Sequence, residues 1–256
     1  MLNRPVLIGM FFLTFFVLIA GWFFPIPWYV YVLTFAPFFG SVLYGSFLID
    51  SQVFVPAICK VETSKKIVAL TFDDGPEEKV TPFVLDFLKE NKVPATFFCI
   101  GHKLEKHLEI GRRASDEGHI LGNHSYSHSN WFDFFPKKMV VRELNRTEAL
   151  IKKASHKIPR FFRPPYGVTN FSIADAVAEV NEKVIGWNVR SLDTVIKDPD
   201  RLLNRIQKKL EPGSIILLHD NQPGLIDFLP KLLELLKKEQ YEIVPLDELI
   251  GQPAYE

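Results

Sequence analysis

The 256 residues carry 30 basic and 30 acidic side chains, a balance that supplies no bulk positive field and so excludes nucleic-acid binding by that means. Two cysteines, Cys59 and Cys99, are too few for a disulfide framework; buried free thiols are the better reading, with a single bridge as the alternative. Charge is unevenly placed, because no charged side chain lies between Arg4 and Asp50.

Residues 5–24 are continuously uncharged, about the length that crosses a bilayer core as a helix. Pro25-Ile26-Pro27 breaks the run. A second uncharged stretch covers 28–49, with Trp28, Tyr29 and Tyr31 near its start, where an interfacial aromatic belt would place them. The pattern predicts a hairpin of two transmembrane helices over 5–24 and 28–49, so that residues 1–50 form a membrane anchor with the lipid bilayer as partner. The alternatives are a cleaved signal peptide and a buried core hairpin. The second apolar stretch and the lack of a small-x-small cleavage site weigh against the signal peptide. Arg4 before the hairpin and Lys60, Lys65 and Lys66 after it favour the cytoplasmic side for both ends. Asp50 and Glu62 dilute that signal, and the side of the membrane stays open.

A linker is expected over 51–64. Strand-like and helix-like patterns then alternate through 65–250, followed by a tail at 251–256. Apolar runs predict strands at 66–72, 94–100, 119–122, 160–163, 183–189, 214–219 and 241–245. Helical patterns lie between them: 81–91 with Pro82 in its first turn, 103–117, 137–156, a helix capped by Ser172 and running to about 182, one opened by Asp198-Pro199, and 225–239. Alternating strands and helices indicate parallel βα units, and seven strands suit an α/β barrel or incomplete barrel.

Five segments at strand ends carry candidate chemistry. Ile67 to Pro76 is a buried-strand pattern that ends in two adjacent carboxylates, Asp73 and Asp74, and a Gly-Pro stop. Side by side they repel, which calls for a metal, a proton-transfer role, or both. His124-Ser-Tyr-Ser-His128 follows the next-but-one strand; in a helical turn the two imidazoles would share a face and bind one metal. A carboxylate plus two imidazoles leaves the open position that a catalytic zinc site requires. Arg163-Pro-Pro-Tyr-Gly167 offers a guanidinium for a carboxylate and a loop stiffened by Pro164 and Pro165. Trp187 to Asp193 supplies a strand-end carboxylate and a pocket-lining aromatic. Ser214 to Asp220 ends a buried strand in His219, placed for general acid or base work. In a parallel barrel all such strand ends gather at one face.

In order and spacing these five segments resemble the motifs of the polysaccharide deacetylases, the carbohydrate esterase family 4 with its NodB-homology domain, over about Lys65 to Leu249. The resemblance implies a distorted (β/α)7 barrel. It implies metal-assisted hydrolysis of the N-acetyl group of amino sugars in a cell-envelope glycan, whether peptidoglycan, chitin-like or exopolysaccharide. Removal of an acyl group from a lipid-linked amino sugar at the cytoplasmic membrane face is the alternative, and a non-catalytic, membrane-anchored carbohydrate-binding protein is the rival of another class. By the resemblance Asp73 is the base, and Asp74, His124 and His128 hold one divalent ion, usually Zn2+, with Co2+, Ni2+ or Mn2+ as alternatives. Arg163 tunes the base, the Tyr166 N–H in the Pro165-Tyr166 loop meets the oxyanion, Asp193 tunes the acid His219, and Trp187 and Leu217 line the acyl pocket. No protein partner is implied. One departure stands out: Thr194 occupies the position after Asp193 where the family often has Trp, which puts the usual pocket wall in doubt.

Overall fold

The computed structural model describes residues 4–256. Two helices open the chain, α1 (Arg4–Phe23) and α2 (Trp28–Phe47), joined through Pro25-Ile26-Pro27. Each is long and apolar enough to cross a membrane, and apolar side chains point outward on most of their surface, Trp22 being 89% and Trp28 75% exposed. Such a surface is unlike that of a soluble hairpin, which buries its apolar face.

Nine strands follow: β1 (Ala57–Ile58), β2 (Ile67–Asp73), β3 (Thr96–Cys99), β4 (Ile120–Asn123), β5 (Phe161–Phe162), β6 (Lys183–Ile185), β7 (Val189–Arg190), β8 (Ser214–His219) and β9 (Glu242–Ile243). They form one sheet in the order β1-β6-β5-β4-β3-β2-β8-β7, with β9 also on β2. Every strand pair is parallel. Strand β2 is buried along nearly its whole length, as expected where helices cover both faces of a parallel sheet. The helices are α3 (Thr81–Asn91), α4 (Gly101–Lys106), α5 (Leu108–Asp116), α6 (Lys137–Ser155), α7 (Phe171–Val180), α8 (Pro199–Gln207), α9 (Leu225–Lys238) and α10 (Leu246–Ile250).

The curled sheet is the incomplete barrel the alternation predicts, with local corrections. The strand expected over 183–189 is two, because the chain leaves the sheet at Gly186-Trp187-Asn188. There Asn188 donates to the Ser214 hydroxyl at 2.9 Å and accepts from the Ile215 N–H. Strand β6 lies beside β1 and β5, while β7 lies beside β8 at the far end, so the gap in the barrel falls between β7 and β1. The expected helix over 103–117 breaks at His107, whose φ of −125° and ψ of 49° are non-helical, and both pieces pack on α6. Asn170, not Ser172, caps α7, accepting from the Ile173 N–H at 2.9 Å. Within the stretch expected to be a linker, Ala57–Ile58 forms β1 and Val61 donates to the Gly213 carbonyl. Cys59 and Cys99 are both free thiols.

The hairpin rests on the domain at one end. Arg4 makes a two-pronged contact with Asp175, at 2.7 and 3.0 Å. Thr169 donates from its backbone to Ser46 O and from its hydroxyl to Gly45 O.

Candidate active site

The strand C-termini converge as parallel winding requires. Asp73 ends β2 directly opposite His219 at the end of β8, His124 follows β4, Arg163 follows β5, Trp187 follows β6, and Asp193 follows β7. All eleven residues singled out above lie at or beside one cleft. Asp73, Asp74, His124, His128, Tyr166, Trp187, Leu217 and His219 line it directly, together with Gly167, Arg190 and Thr194, around about 190 Å3.

Arg163 is fully buried. It donates from Nη1 to Asp73 Oδ1 at 2.7 Å and to Thr71 Oγ1 at 2.8 Å, from Nε to Ile185 O at 3.1 Å, and from Nη2 to Gly186 O at 2.9 Å. It therefore clamps β2 to β6 across the inside of the barrel. Burial lowers its pKa and the Asp73 charge opposes that; a guanidinium so placed stays charged. Thr71 had no role assigned from sequence. Its signal was present, since Thr71 and Asp73 are two apart on a strand and face the same way.

Asp74 Oδ1 lies 3.6 Å from His124 Nε2 and 3.4 Å from His128 Nε2, and donor atoms of the three lie within 4.8 Å of one another. His124 Nδ1 donates to the Arg163 carbonyl at 2.7 Å, which orients the ring so that its Nε2 faces Asp74, the usual arrangement for a ligating imidazole. Burial, with His124 nearby, pushes His128 down to about 4, which keeps it neutral. Burial alone would raise the Asp74 carboxyl, but the hydrogen bond from His124, with His128 and His219 nearby, holds it well below the ordinary range. One carboxylate and two imidazoles fit a borderline divalent cation.

The two histidines do not share a helix face. Residues 124–128 form an irregular loop with Ser125 at φ 62° and His128 at φ 46°. Glu143 of α6 holds it, accepting from the Tyr126 and Ser127 N–H groups and the Ser127 hydroxyl at 2.7–3.1 Å. Two further positive φ values flank the cleft, at Asp74 (72°) and Tyr166 (59°). Such backbone costs on the order of 1–3 kcal/mol per residue and concentrates at functional sites.

His219 Nδ1 lies 2.7 Å from Asp193 Oδ1, and Asp193 Oδ2 accepts from the His219 N–H at 2.8 Å. Burial pulls the imidazole down, but Asp193 outweighs it and the pKa stands above the ordinary 6.5. Sequence reasoning missed two supports of Asp74: Asn221 donates to Oδ2 at 3.2 Å, and Lys103 Nζ donates to the backbone carbonyl at 2.7 Å. It also missed why Gly75 must be glycine: a Cβ there would collide with the buried Asp220 carboxylate.

A family model described as polysaccharide deacetylase matches residues 60–185. A peptidoglycan-N-acetylglucosamine deacetylase of Bacillus cereus is 35% identical over 190 residues, which are 73% of this chain and 69% of the relative. The chain belongs to the polysaccharide deacetylase family. This polysaccharide deacetylase is thereby a hydrolase acting on amide C–N bonds. The Bc1960 peptidoglycan N-acetylglucosamine deacetylase superposes with a TM-score of 0.73 at 32% identity, over 78% of this chain and 95% of its own. BA3943 of Bacillus anthracis, a pseudoenzyme of carbohydrate esterase family 4, superposes with a TM-score of 0.71 at 28% identity, over 76% of this chain and 69% of its own.

Proposed function

We propose that the chain is a metal-dependent N-deacetylase of N-acetylated amino sugars in a cell-envelope glycan. Residues 65–250 are the catalytic domain and the hairpin is a two-span membrane anchor. The observation that carries this reading is the convergence of three units on one cleft: the Asp73–Arg163 pair, the Asp74/His124/His128 cluster, and the Asp193–His219 pair. The anthracis pseudoenzyme is precedent for a silent member of the fold, but a silent site has no need of base, metal donors and acid together.

Asp74, His124 and His128 would hold the ion. When bound, it supplies Lewis acidity to the acyl carbonyl and to the attacking water. Asp73 takes the proton of that water. Arg163 fixes its Oδ1, and Oδ2, 3.8 Å from His124 Nε2, is the oxygen left for the reaction. The Tyr166 N–H, turned by its left-handed backbone, meets the negative charge that develops on the carbonyl oxygen. As the C–N bond breaks, His219 gives its proton to the leaving amine. Trp187, packed on Gly167, and Leu217 wall the acyl pocket, while exposed Thr194 leaves it wider than a Trp would.

Incubation of the purified full chain with tetra-N-acetylchitotetraose is expected to release acetate. Chelation should stop the release and Zn2+ should restore it. Metal analysis should find about one ion per chain, and His128→Ala should bind much less. A metal-free wild-type chain with full activity would sink the metal assignment.

The acid's pKa gives a pH signature. Turnover should fall as pH rises through the His219 pKa, because the donor must be protonated. In Asp193→Asn the largest raising influence is gone, while burial, which lowers the pKa, and the weaker raising effect of Asp73 and Asp74 remain. The falling limb is then expected at lower pH than in the wild-type chain, and the rate at neutral pH drops. An unmoved limb in the kcat profile would exclude His219 as the titrating acid.

A further inference from the structure

The cleft does not end at the catalytic groups. A second groove of about 270 Å3 shares Tyr166, Gly167, Trp187 and Arg190 with it. Beyond Arg190 that groove is lined by Arg205 and Lys209 and reaches Phe47 and Leu48, the last residue of α2 and the one after it. Arg205 Nε donates to the Arg190 carbonyl at 2.9 Å, which ties the two together. One carboxylate, Asp50, faces the same groove, leaving the three cations in surplus. The ion pairs beside the groove belong to other residues, Lys60 with Glu62 and Glu211.

The groove also lies at a fixed place relative to the hairpin. A 20-residue helix spans about 30 Å, the thickness of a bilayer core, so with Trp28 at one interface Phe47 lies at the other. Thr169, three residues after Tyr166, is hydrogen-bonded to Gly45 and Ser46. The loop of the catalytic cleft is therefore bound directly to the end of the anchor. Exposed Trp131 and Phe134 flank Asp133, whose carbonyl accepts from Asn170 at 2.6 Å. Asn170 in turn lines an apolar groove with Leu7, Phe11 and Phe38 of the hairpin. Exposed aromatics beside the end of a span suit the headgroup layer.

We infer that this groove binds the phosphate or diphosphate of an amino sugar carried on a membrane lipid, and that such a lipid-linked sugar is the substrate of the cleft. Phe47 and Leu48 meet the lipid chain where it leaves the bilayer. Arg190, Arg205 and Lys209 hold the anion, arginine forks being suited to phosphate oxygens. The N-acyl group of the sugar then falls between Asp73 and His219. The inference rests on the deacetylase reading above and narrows its substrate from a glycan to the glycan's lipid-borne precursor.

The test uses the full-length chain in phosphatidylcholine vesicles. It compares N-acetylglucosaminyl diphosphoprenol in the membrane with tetra-N-acetylchitotetraose and with uridine diphosphate N-acetylglucosamine in solution. Wild-type kcat/KM should be highest for the prenol substrate, by about tenfold or more. In Arg205→Gln/Lys209→Gln the ratio of prenol to chitotetraose kcat/KM should fall about tenfold, mainly through KM. Added salt should depress turnover of the prenol substrate more steeply than that of chitotetraose in the wild-type protein, a measurement that needs no variant to fold. A ratio unmoved by the substitutions, or equal salt dependence, overturns the anion site. Equal turnover of the soluble nucleotide sugar overturns the lipid carrier. Hydrolysis of chitotetraose without hydrolysis of the prenol substrate overturns this inference and leaves the deacetylase reading standing. Loss of both in the wild-type chain overturns that reading and this inference with it.

Discussion

Asp73→Asn is expected to keep the fold and the metal and to lose about 10²–10⁴-fold in kcat. The substitution changes almost no volume, and its amide oxygen can still accept from Arg163 Nη1, which now holds Asp73 Oδ1 at 2.7 Å. An amide cannot take a proton from water at neutral pH, so the loss falls on the chemical step and not on KM. Metal content is the internal control. Asp74, not Asp73, belongs to the donor cluster, so Asp73→Asn should retain the ion and Asp74→Asn should bind it weakly. A near-wild-type kcat in Asp73→Asn, with acetate release measured on chitotetraose, would remove Asp73 as the base. Loss of metal on Asp73→Asn would show that the two adjacent carboxylates do not divide their work as proposed.

Arg163→Met is expected to cost about 3–5 kcal/mol, the usual price of removing one member of a buried ion pair. The side chain is entirely buried and makes four hydrogen bonds that link β2, through Thr71 and Asp73, to Ile185 and Gly186. Methionine fills much of the volume but leaves the Asp73 carboxylate and two carbonyls without partners. For a domain of this size Tm should fall by about 6–20 °C. Adding Asp73→Asn to Arg163→Met should recover part of that loss, because the orphaned charge is then gone. A double variant no more stable than Arg163→Met would mean that the clamp to Ile185 and Gly186, not the charge pair, carries the cost. Arg163→Lys retains charge without the fork and is expected to fall between, since one ammonium cannot reach all four acceptors.

Most of the fold was legible from periodicity. Helices α3, α6 and α9 begin and end within a residue or two of the expected positions, and α8 begins where expected, because their apolar faces are clear and their ends are marked by Thr81-Pro82, Asp198-Pro199 and a loop after Lys238. The misreadings have physical causes. Strands β1 and β7 are two residues long, too short for any alternation to register. The run 183–189 is mostly apolar, and nothing local says that Asn188 will turn to Ser214 and Ile215 on another strand. The His124–His128 spacing suggested a helical turn, but Glu143, distant in sequence, captures the loop's N–H groups instead.

The sequence by itself determined the chemistry available to this protein. It held two adjacent carboxylates, two histidines, an arginine, a strand-end histidine and a second aspartate, each after an apolar run that parallel winding brings to one rim. It also determined the hairpin, since composition and length suffice for two apolar helices. The family resemblance assigned Asp73 and Asp74 different partners, but only the tertiary structure shows the geometry by which they separate. One carboxylate turns inward to a buried guanidinium. The other, on left-handed backbone, turns to two imidazoles. Both partners come from segments 50 to 90 residues away, so no local preference encodes the choice. The tertiary structure likewise decided that the end of the hairpin is bonded to the loop beside the cleft, through Thr169, Gly45 and Ser46. Those backbone groups are paired only when the two regions are packed together, and that packing puts the rim of the cleft at the end of the hairpin.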